Sequence, residues 1–262
     1  MNLNLKNKQA IVCGSTQGIG KAIAVELAQL GANVTLTARN EEKLRTALQD
    51  LDTSLGQQHD YLVADFSNPV ELNINVKAYL EQQPTVHILV NNTGGPAGGP
   101  ITDAHSDEFV DAFNQHLIAN HLLAKAVIPG MKAANYGRII NIISTSVKQP
   151  LNGLGVSNTI RGAVASWAKT MANELGQFGI TVNNVLPGAT RTGRLESIIE
   201  NKAKKNDTAV NSIEEDMMKE IPAQRFAEPE EIAAAAAFLA TPAAAYINGI
   251  NVPVDGGRTG CL

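Results

Sequence analysis

Cys13-Gly14-Ser15-Thr16-Gln17-Gly18-Ile19-Gly20 is the stretch that decides the fold. Before it runs Gln9-Ala10-Ile11-Val12, short and rich in aliphatic residues, which reads as a buried strand. After it, Ile19, Ile23, Leu27 and Leu30 recur at three- and four-residue intervals, so residues 18–30 read as a helix with one apolar face. A strand that passes through a glycine-rich turn straight into a helix is a unit suited to cradling phosphate. Glycine permits the sharp turn and lets a pyrophosphate approach the backbone at the positive end of the helix. The spacing is G-x-x-x-G-x-G rather than the commoner G-x-G-x-x-G, but the physical requirement is shared. Gly14, Gly18 and Gly20 would shape the turn, while Ser15, Thr16 and Ile19 would add hydroxyl or backbone donors.

Outward from this unit, strand-like and helix-like segments alternate to the end of the chain. Further strands are expected at 33–38, 61–64, 87–91, 138–143, 181–186 and 250–254. Helices are expected at 41–51, 69–80, 106–133, 155–177 and 229–239, with a polar, helix-prone stretch over 193–220. Repeated strand–helix units imply an α/β fold: a doubly wound, Rossmann-type parallel sheet with right-handed crossovers and helices on both faces. No linker or composition shift divides the chain, so residues 1–262 read as a single dinucleotide-binding domain. Gly94-Gly95-Pro96-Ala97-Gly98-Gly99-Pro100 forms a loop after the fourth strand, where ligands of open α/β sheets sit.

Composition agrees. Hydrophobic residues make up 44% of the 262, yet aromatics only 4%, so aliphatic side chains must fill the core. A net charge of −4 argues against nucleic acid or an anionic membrane as the main partner. No apolar run approaches the roughly 18 residues of a membrane span. Residues 1–10 hold Lys6 and Lys8 but no apolar signal core. Cys13 and Cys261 are the two cysteines, and a cytoplasmic chain with free thiols is the simplest expectation. Cys13 ends an apolar run and should be packed. No metal-ligand cluster is visible.

The end of the second strand discriminates between cofactors. A carboxylate there would accept hydrogen bonds from an adenosine ribose 2′-hydroxyl, whereas an arginine accommodates a 2′-phosphate. The chain reads Thr37-Ala38-Arg39-Asn40, with its first carboxylate at Glu41. Arg39 and Asn40 therefore favour NADP(H), with NAD(H) left open. Asp65 and Phe66, after the third strand, suit the adenine edge. Asn92, Thr93 and Gly94, after the fourth, suit the adenosine side and the central crevice.

Together these segments resemble the short-chain dehydrogenase/reductase family along the whole chain. The matching pieces are residues 14–20, Asp65, residues 91–94, Gly137-Arg138-Ile139-Ile140-Asn141-Ile142-Ile143-Ser144, Pro187-Gly188 and Pro222-Ala223-Gln224-Arg225-Phe226-Ala227-Glu228-Pro229-Glu230-Glu231-Ile232-Ala233. The last run, with Asn248-Gly249 and Val254-Asp255-Gly256-Gly257, looks most like the β-ketoacyl-carrier-protein reductase branch. The resemblance implies a sheet of order 3-2-1-4-5-6-7 and a homotetramer or homodimer built through the two long helices. It implies a small carbonyl or alcohol substrate, as in 3-oxoacyl reduction. Pro187, Gly188, Thr190 and Thr192 match the segment beside the nicotinamide, where the Thr190 backbone and Thr192 hydroxyl would hold the carboxamide. Residues 193–220 would form a substrate lid, with Arg191 and Arg194 at the pocket mouth as candidates to meet a substrate anion.

The departures from that family bear on mechanism. Its catalytic set is Asn, Ser, Tyr and Lys. Ser144 matches the Ser, but the Tyr position thirteen residues later holds Ser157, the Lys position holds Arg161, and the Asn position falls on His116. Tyr136 precedes the fifth strand and should lie at the far edge of the sheet. Serine is a far weaker acid than a phenol, and Arg161 keeps its proton, so a plain exchange should lose the acid–base contribution, about 10²–10⁴-fold. Two readings follow. In one, His116, or a water it orders, donates the proton, because imidazole titrates near neutrality; Ser144 and Ser157 bind the carbonyl oxygen, and Arg161 orients the cofactor ribose or a substrate carboxylate. In the other, the chain is a redox-inactive NADP-binding sensor or scaffold. A lyase or isomerase using the same crevice is a third class that the residues leave open.

Overall fold

Seven parallel strands form one sheet of order β3-β2-β1-β4-β5-β6-β7, as the computed structural model of residues 1–261 shows. In chain order the elements are β1 (Gln9–Cys13), α1 (Gly18–Gln29), β2 (Asn33–Ala38), α2 (Glu41–Leu48), β3 (Asp60–Val63), α3 (Pro69–Gln82) and β4 (Ile88–Asn91). Then come α4 (Ser106–Phe113), α5 (Ala119–Ala133), β5 (Gly137–Ile142), α6 (Gly155–Leu175) and β6 (Ile180–Pro187). The chain ends with α7 (Gly193–Asn206), α8 (Val210–Lys219), α9 (Pro229–Ala240) and β7 (Asn251–Val254). The order reverses direction between β1 and β4, which opens a crevice at the carboxyl ends of these two strands.

The central strands are buried on both faces, which is why they read as continuous apolar runs rather than alternating ones. On one face Val12, Val34, Leu36 and Val90 pack under Ile23 and Leu27 of α1, Leu44 of α2 and Ile232, Ala236 and Ala240 of α9. On the other, Ile11, Leu89, Ile139 and Val182 pack under Leu72 of α3, Leu123 and Val127 of α5 and Ala168 and Ala172 of α6. Cys13 belongs to this second core, and burial pushes its thiol pKa up to about 12. Tyr136 lies at the amino end of β5, where its hydroxyl donates to the Ala240 carbonyl, 2.7 Å away, far from the crevice.

One expected helix differs from its sequence reading, and one helix-prone stretch resolves into two helices. The single helix expected over 106–133 is divided by a π-helical turn at Asn114–Ile118, with α4 before it and α5 after it. Such a turn inserts an extra residue into the helical ladder and re-aims the side chains it carries, without altering the apolar spacing on either side. The stretch 193–220 forms two helices, α7 and α8, joined through Asp207 in a left-handed conformation. These helices bury Leu195, Ile199, Ala203 and Ile213 in a small core of their own with Ile221 and Phe226. Other boundaries move by one to three residues, the usual uncertainty of helix and strand ends.

A chain of asparagines crosses the sheet just beneath the crevice. Strand register places Asn91, Asn141, Asn184 and Asn251 side by side on β4, β5, β6 and β7. Each amide nitrogen donates to the next side-chain oxygen, from Asn91 to Asn141, Asn141 to Asn184 and Asn184 to Asn251, every step 2.8 Å. The chain couples four strands laterally where a purely apolar layer would not fix their register. Replacing Asn141 with Leu leaves the Asn91 amide and the Asn184 oxygen buried without these partners, at about 1–3 kcal/mol each. Urea denaturation should show a lower midpoint for that variant; an unchanged midpoint would mean that the asparagine chain adds nothing to stability.

Candidate active site

The site assembles where β1, β4, β5 and β6 end. The glycine turn is held against the end of β4 by close contact. A Cβ on Gly14, whose φ is +58°, would stand 2.6 Å from the Asn92 carbonyl oxygen, and a Cβ on Gly20 would collide with the Gly14 carbonyl. Asn92 reinforces the contact, its amide donating to the carbonyls of Cys13 (3.2 Å) and Gly14 (3.3 Å). Helix α1 starts beyond this turn with no side-chain cap and no acidic residue in its first turn. Its first amides therefore stay available to an anion, at the end where the helix dipole favours one. These features fit a dinucleotide pyrophosphate.

Other candidates on this side divide into free and committed groups. Ser15 is fully buried and its Oγ accepts the Thr37 amide at 2.9 Å, so it braces the turn; Thr16 is only half-buried. Arg39 is exposed at the rim. Asn40 caps α2 by accepting the Lys43 amide, which occupies its side-chain oxygen. Glu41 is taken up by Arg45 and by the Tyr61 hydroxyl, so it does not stand in for a ribose-binding carboxylate. Burial tends to raise the Asp65 pKa, but hydrogen bonds from Ser67 and the charge of Arg39 outweigh it and hold the group below its usual value. The Phe66 ring is buried in the second core with Leu72. Near β6, the Thr190 hydroxyl donates to Gly188, and Thr192 caps α7 by accepting the Leu195 amide. Gly188, following Pro187, admits Asp255, which a Cβ would strike at 2.7 Å.

The four residues expected from the sequence at catalytic positions are Ser144, Ser157, Arg161 and His116. Ser144 ends β5 in extended conformation and its Oγ accepts the Ser146 amide at 3.1 Å, leaving the hydroxyl proton free to donate. Ser157 and Arg161 lie one turn apart on α6 and so share a face. Arg161 is only 9% exposed; its Nη1 donates to the Ile142 carbonyl at 3.1 Å. Burial, assisted by the charge of Arg194, lowers its pKa to about 10, still far above neutrality. His116 rides on the π-helical turn, 3% exposed, with Nδ1 2.7 Å from the Thr93 hydroxyl. Its Nε2 is buried with no partner.

One expectation changes here. His116 does not titrate near neutrality. Burial first, then the charges of Arg161 and Arg194, lower its pKa to about 3, so the ring is neutral at physiological pH. It offers a fixed neutral nitrogen rather than an imidazolium. His87 and His59 accept backbone amides from Gln9 and Val34, as structural histidines do. Arg191 pairs with Glu228 at 3.2 Å over the Phe226 ring and is not available to the pocket. Arg194, by contrast, crosses from α7 to donate to the Pro96 carbonyl at 2.5 Å, beside Arg161. Neither the Thr93–His116 bond nor the approach of the two arginines has any signature in sequence spacing, because each joins distant segments.

Residues 14–259 match the family model described as enoyl-(acyl carrier protein) reductase. The chain belongs to the short-chain dehydrogenase/reductase family. It is 35% identical over 257 residues to a 3-oxoacyl-[acyl-carrier-protein] reductase of Vibrio cholerae, covering 97% of this chain and 98% of that one. It is 30% identical to an NADPH-dependent reductase of Bacillus subtilis, covering 97% and 98%. The crystal structure of Gluconobacter frateurii L-sorbose reductase, complexed with NADPH and L-sorbose, superposes over 100% of both chains with a TM-score of 0.93 at 30% identity. The family is one of oxidoreductases. Among the described residues, no helix of this member is long and apolar enough to cross a membrane.

The state of His116 is open to direct measurement. The folded pKa lies below the unfolded value of 6.5, so the unfolded chain binds a proton that the folded chain refuses until about pH 3. Stability contributed by this residue is complete above pH 6.5 and declines as pH falls through that window, by at most about 1.4 kcal/mol per pH unit. A His116→Asn variant lacks this dependence. Unfolding free energies of the two proteins between about pH 6 and pH 4 should converge or cross as the wild type loses stability faster. Parallel profiles would show that His116 is charged in the folded chain.

Proposed function

We propose that this chain is an NADP(H)-dependent oxidoreductase that interconverts a carbonyl and an alcohol. The observation that carries this reading is the cradle formed by Gly14, Gly20 and Asn92 around the uncapped start of α1. Gly14, Ser15, Thr16, Gly18, Ile19 and Gly20 would hold the pyrophosphate. Arg39, with Asn40, would meet the 2′-phosphate, Asp65 and the Phe66 backbone the adenine, and Asn92, Thr93 and Gly94 the adenosine side. Pro187, Gly188, Thr190 and Thr192 would line the nicotinamide end. When bound, the reduced cofactor supplies hydride.

The side chains then act on the substrate oxygen. Ser144 and Ser157 donate hydrogen bonds to it. Arg161 holds a permanent positive charge beside the oxygen as negative charge develops there, in a buried setting where such a charge has most effect. His116 is neutral; where the Thr93 hydroxyl donates to Nδ1, its Nε2 carries a hydrogen and offers a further donor. No side chain in this set is a good acid at neutral pH, so water must supply the proton. Helices α7 and α8, which share a small core of their own, would form the lid over this crevice. Loss of the Tyr–Lys pair favours a second reading, an NADP-bound sensor or scaffold that does not turn over.

Calorimetry with NADPH and NADH, followed by NADPH oxidation over a panel of carbonyl compounds, separates the readings. Tight NADPH binding with turnover supports the reductase. Binding without turnover on any carbonyl supports the sensor, and absence of binding to either cofactor defeats both. Arg39→Ser should weaken NADPH binding roughly 10- to 100-fold, the loss of one charge-assisted contact, while NADH affinity stays within about twofold. Equal weakening for both cofactors would show that Arg39 does not read the 2′-phosphate.

A further inference from the structure

Two cations meet in the crevice, and among the described residues no carboxylate pairs with them. The Nη2 atoms of Arg161 and Arg194 each stand 3.4 Å from the point where a Cβ on Gly95 would lie. They are therefore no further apart than twice that distance. Among the described residues the Arg161 side chain donates to the Ile142 carbonyl and that of Arg194 to the Pro96 carbonyl. Both partners are neutral. Among the described residues no carboxylate forms an ion pair with either guanidinium. Nearby, the buried Nε2 of His116 also lacks a partner, and the proximity of the arginines is felt in its depressed pKa. A buried guanidinium without a counter-charge is strongly unfavourable, and a second cation beside it makes the site more so. The ribose hydroxyls that Arg161 would meet are neutral and cannot cancel two charges. Gly95 leaves open the space between the arginines, where a single planar anion reaches both.

We propose that this space takes a carboxylate carried by the substrate, bridged by Arg161 and Arg194, so that the chain acts on oxo acids and hydroxy acids rather than uncharged carbonyls. Guanidinium groups match the two oxygens of a carboxylate in a planar, bidentate arrangement. The assignment rests on the oxidoreductase reading for its chemistry: the carbonyl carbon of the oxo acid gains hydride, its oxygen gains a proton from water, and NADPH leaves as NADP⁺. Ser144 and Ser157 would hold the carbonyl oxygen while the arginines fix the acid. Arg194 would thereby close α7 over a charged substrate and leave it open over a neutral one.

Binding is measured on the full chain at low salt, with and without saturating NADP⁺, by calorimetry. The probes are pyruvate, acetoacetate and 2-oxoglutarate, their methyl esters, and inorganic phosphate. At least one acid should bind, with its ester at least about tenfold weaker, a loss typical of one charged contact. Arg194 is exposed, so Arg194→Gln leaves the core intact. That variant should weaken the acid roughly 10- to 100-fold and leave NADP⁺ affinity within about twofold. NADPH oxidation, where it occurs, should show the effect in KM. Acids and esters binding alike, no acid binding, or no effect of Arg194→Gln overturns the proposal. Phosphate binding more tightly than every acid overturns the carboxylate assignment. Weaker NADP⁺ binding by Arg194→Gln overturns it too, by giving Arg194 to the cofactor. Failure of the chain to bind NADP⁺ or NADPH defeats the oxidoreductase reading instead, while the acid titration without cofactor still decides the anion site.

Discussion

Close approach of two backbones governs this molecule. The turn after β1 and the end of β4 meet with no room for a side chain at Gly14 or Gly20, and Asn92 spans the gap. That contact sets where α1 begins, because the chain can enter the helix only after turning beneath Asn92. It also fixes the crevice, because β1 and β4 are the strands between which the sheet order reverses. The asparagine chain extends this control sideways through β5 and β6 to β7. Backbone positions at the carboxyl edge are thus set by hydrogen bonds and steric exclusion, whereas the aliphatic cores on either face fix only the distance between layers.

On that rigid edge the structure concentrates positive charge. Arg161 is held below the surface by α6, and Arg194 is brought to it by α7, an element that packs largely on its own small core. The two differ in burial, Arg161 lying within the sheet–helix framework and Arg194 exposed on α7. His116 responds to both, losing its proton because burial and two cations leave an imidazolium no favourable place. The proposed chemistry accordingly rests on electrostatic positioning, with serine hydroxyls, fixed charge and a neutral ring.

Much of this was legible in the chain. The glycine turn, the seven strands and the sheet order follow from strand–helix alternation and family motifs, because apolar periodicity is a local property. The strand end at Ser144 and the helix that carries Ser157 and Arg161 also follow from countable stretches of sequence. The π-helical turn was not legible: the apolar residues of 106–133 keep a continuous spacing across it, and the added residue shows only in the hydrogen bonds. Nor were the hydrogen bonds of Ser15 and Asn40 or the ion pair of Arg191 legible, because each is made to a partner remote in sequence or to a helix end.

By itself the sequence determined the architecture and the strand–glycine turn–helix unit, because each depends on residue type at short range. Only tertiary structure decided the chemistry left to the candidate site residues. The neutrality of His116, the diversion of Arg191 to Glu228 and the meeting of Arg161 with Arg194 depend on burial and on charges joined across long separations. Electrostatic energies follow distance and solvent exclusion in space, and neither is written in the spacing of residues along a chain.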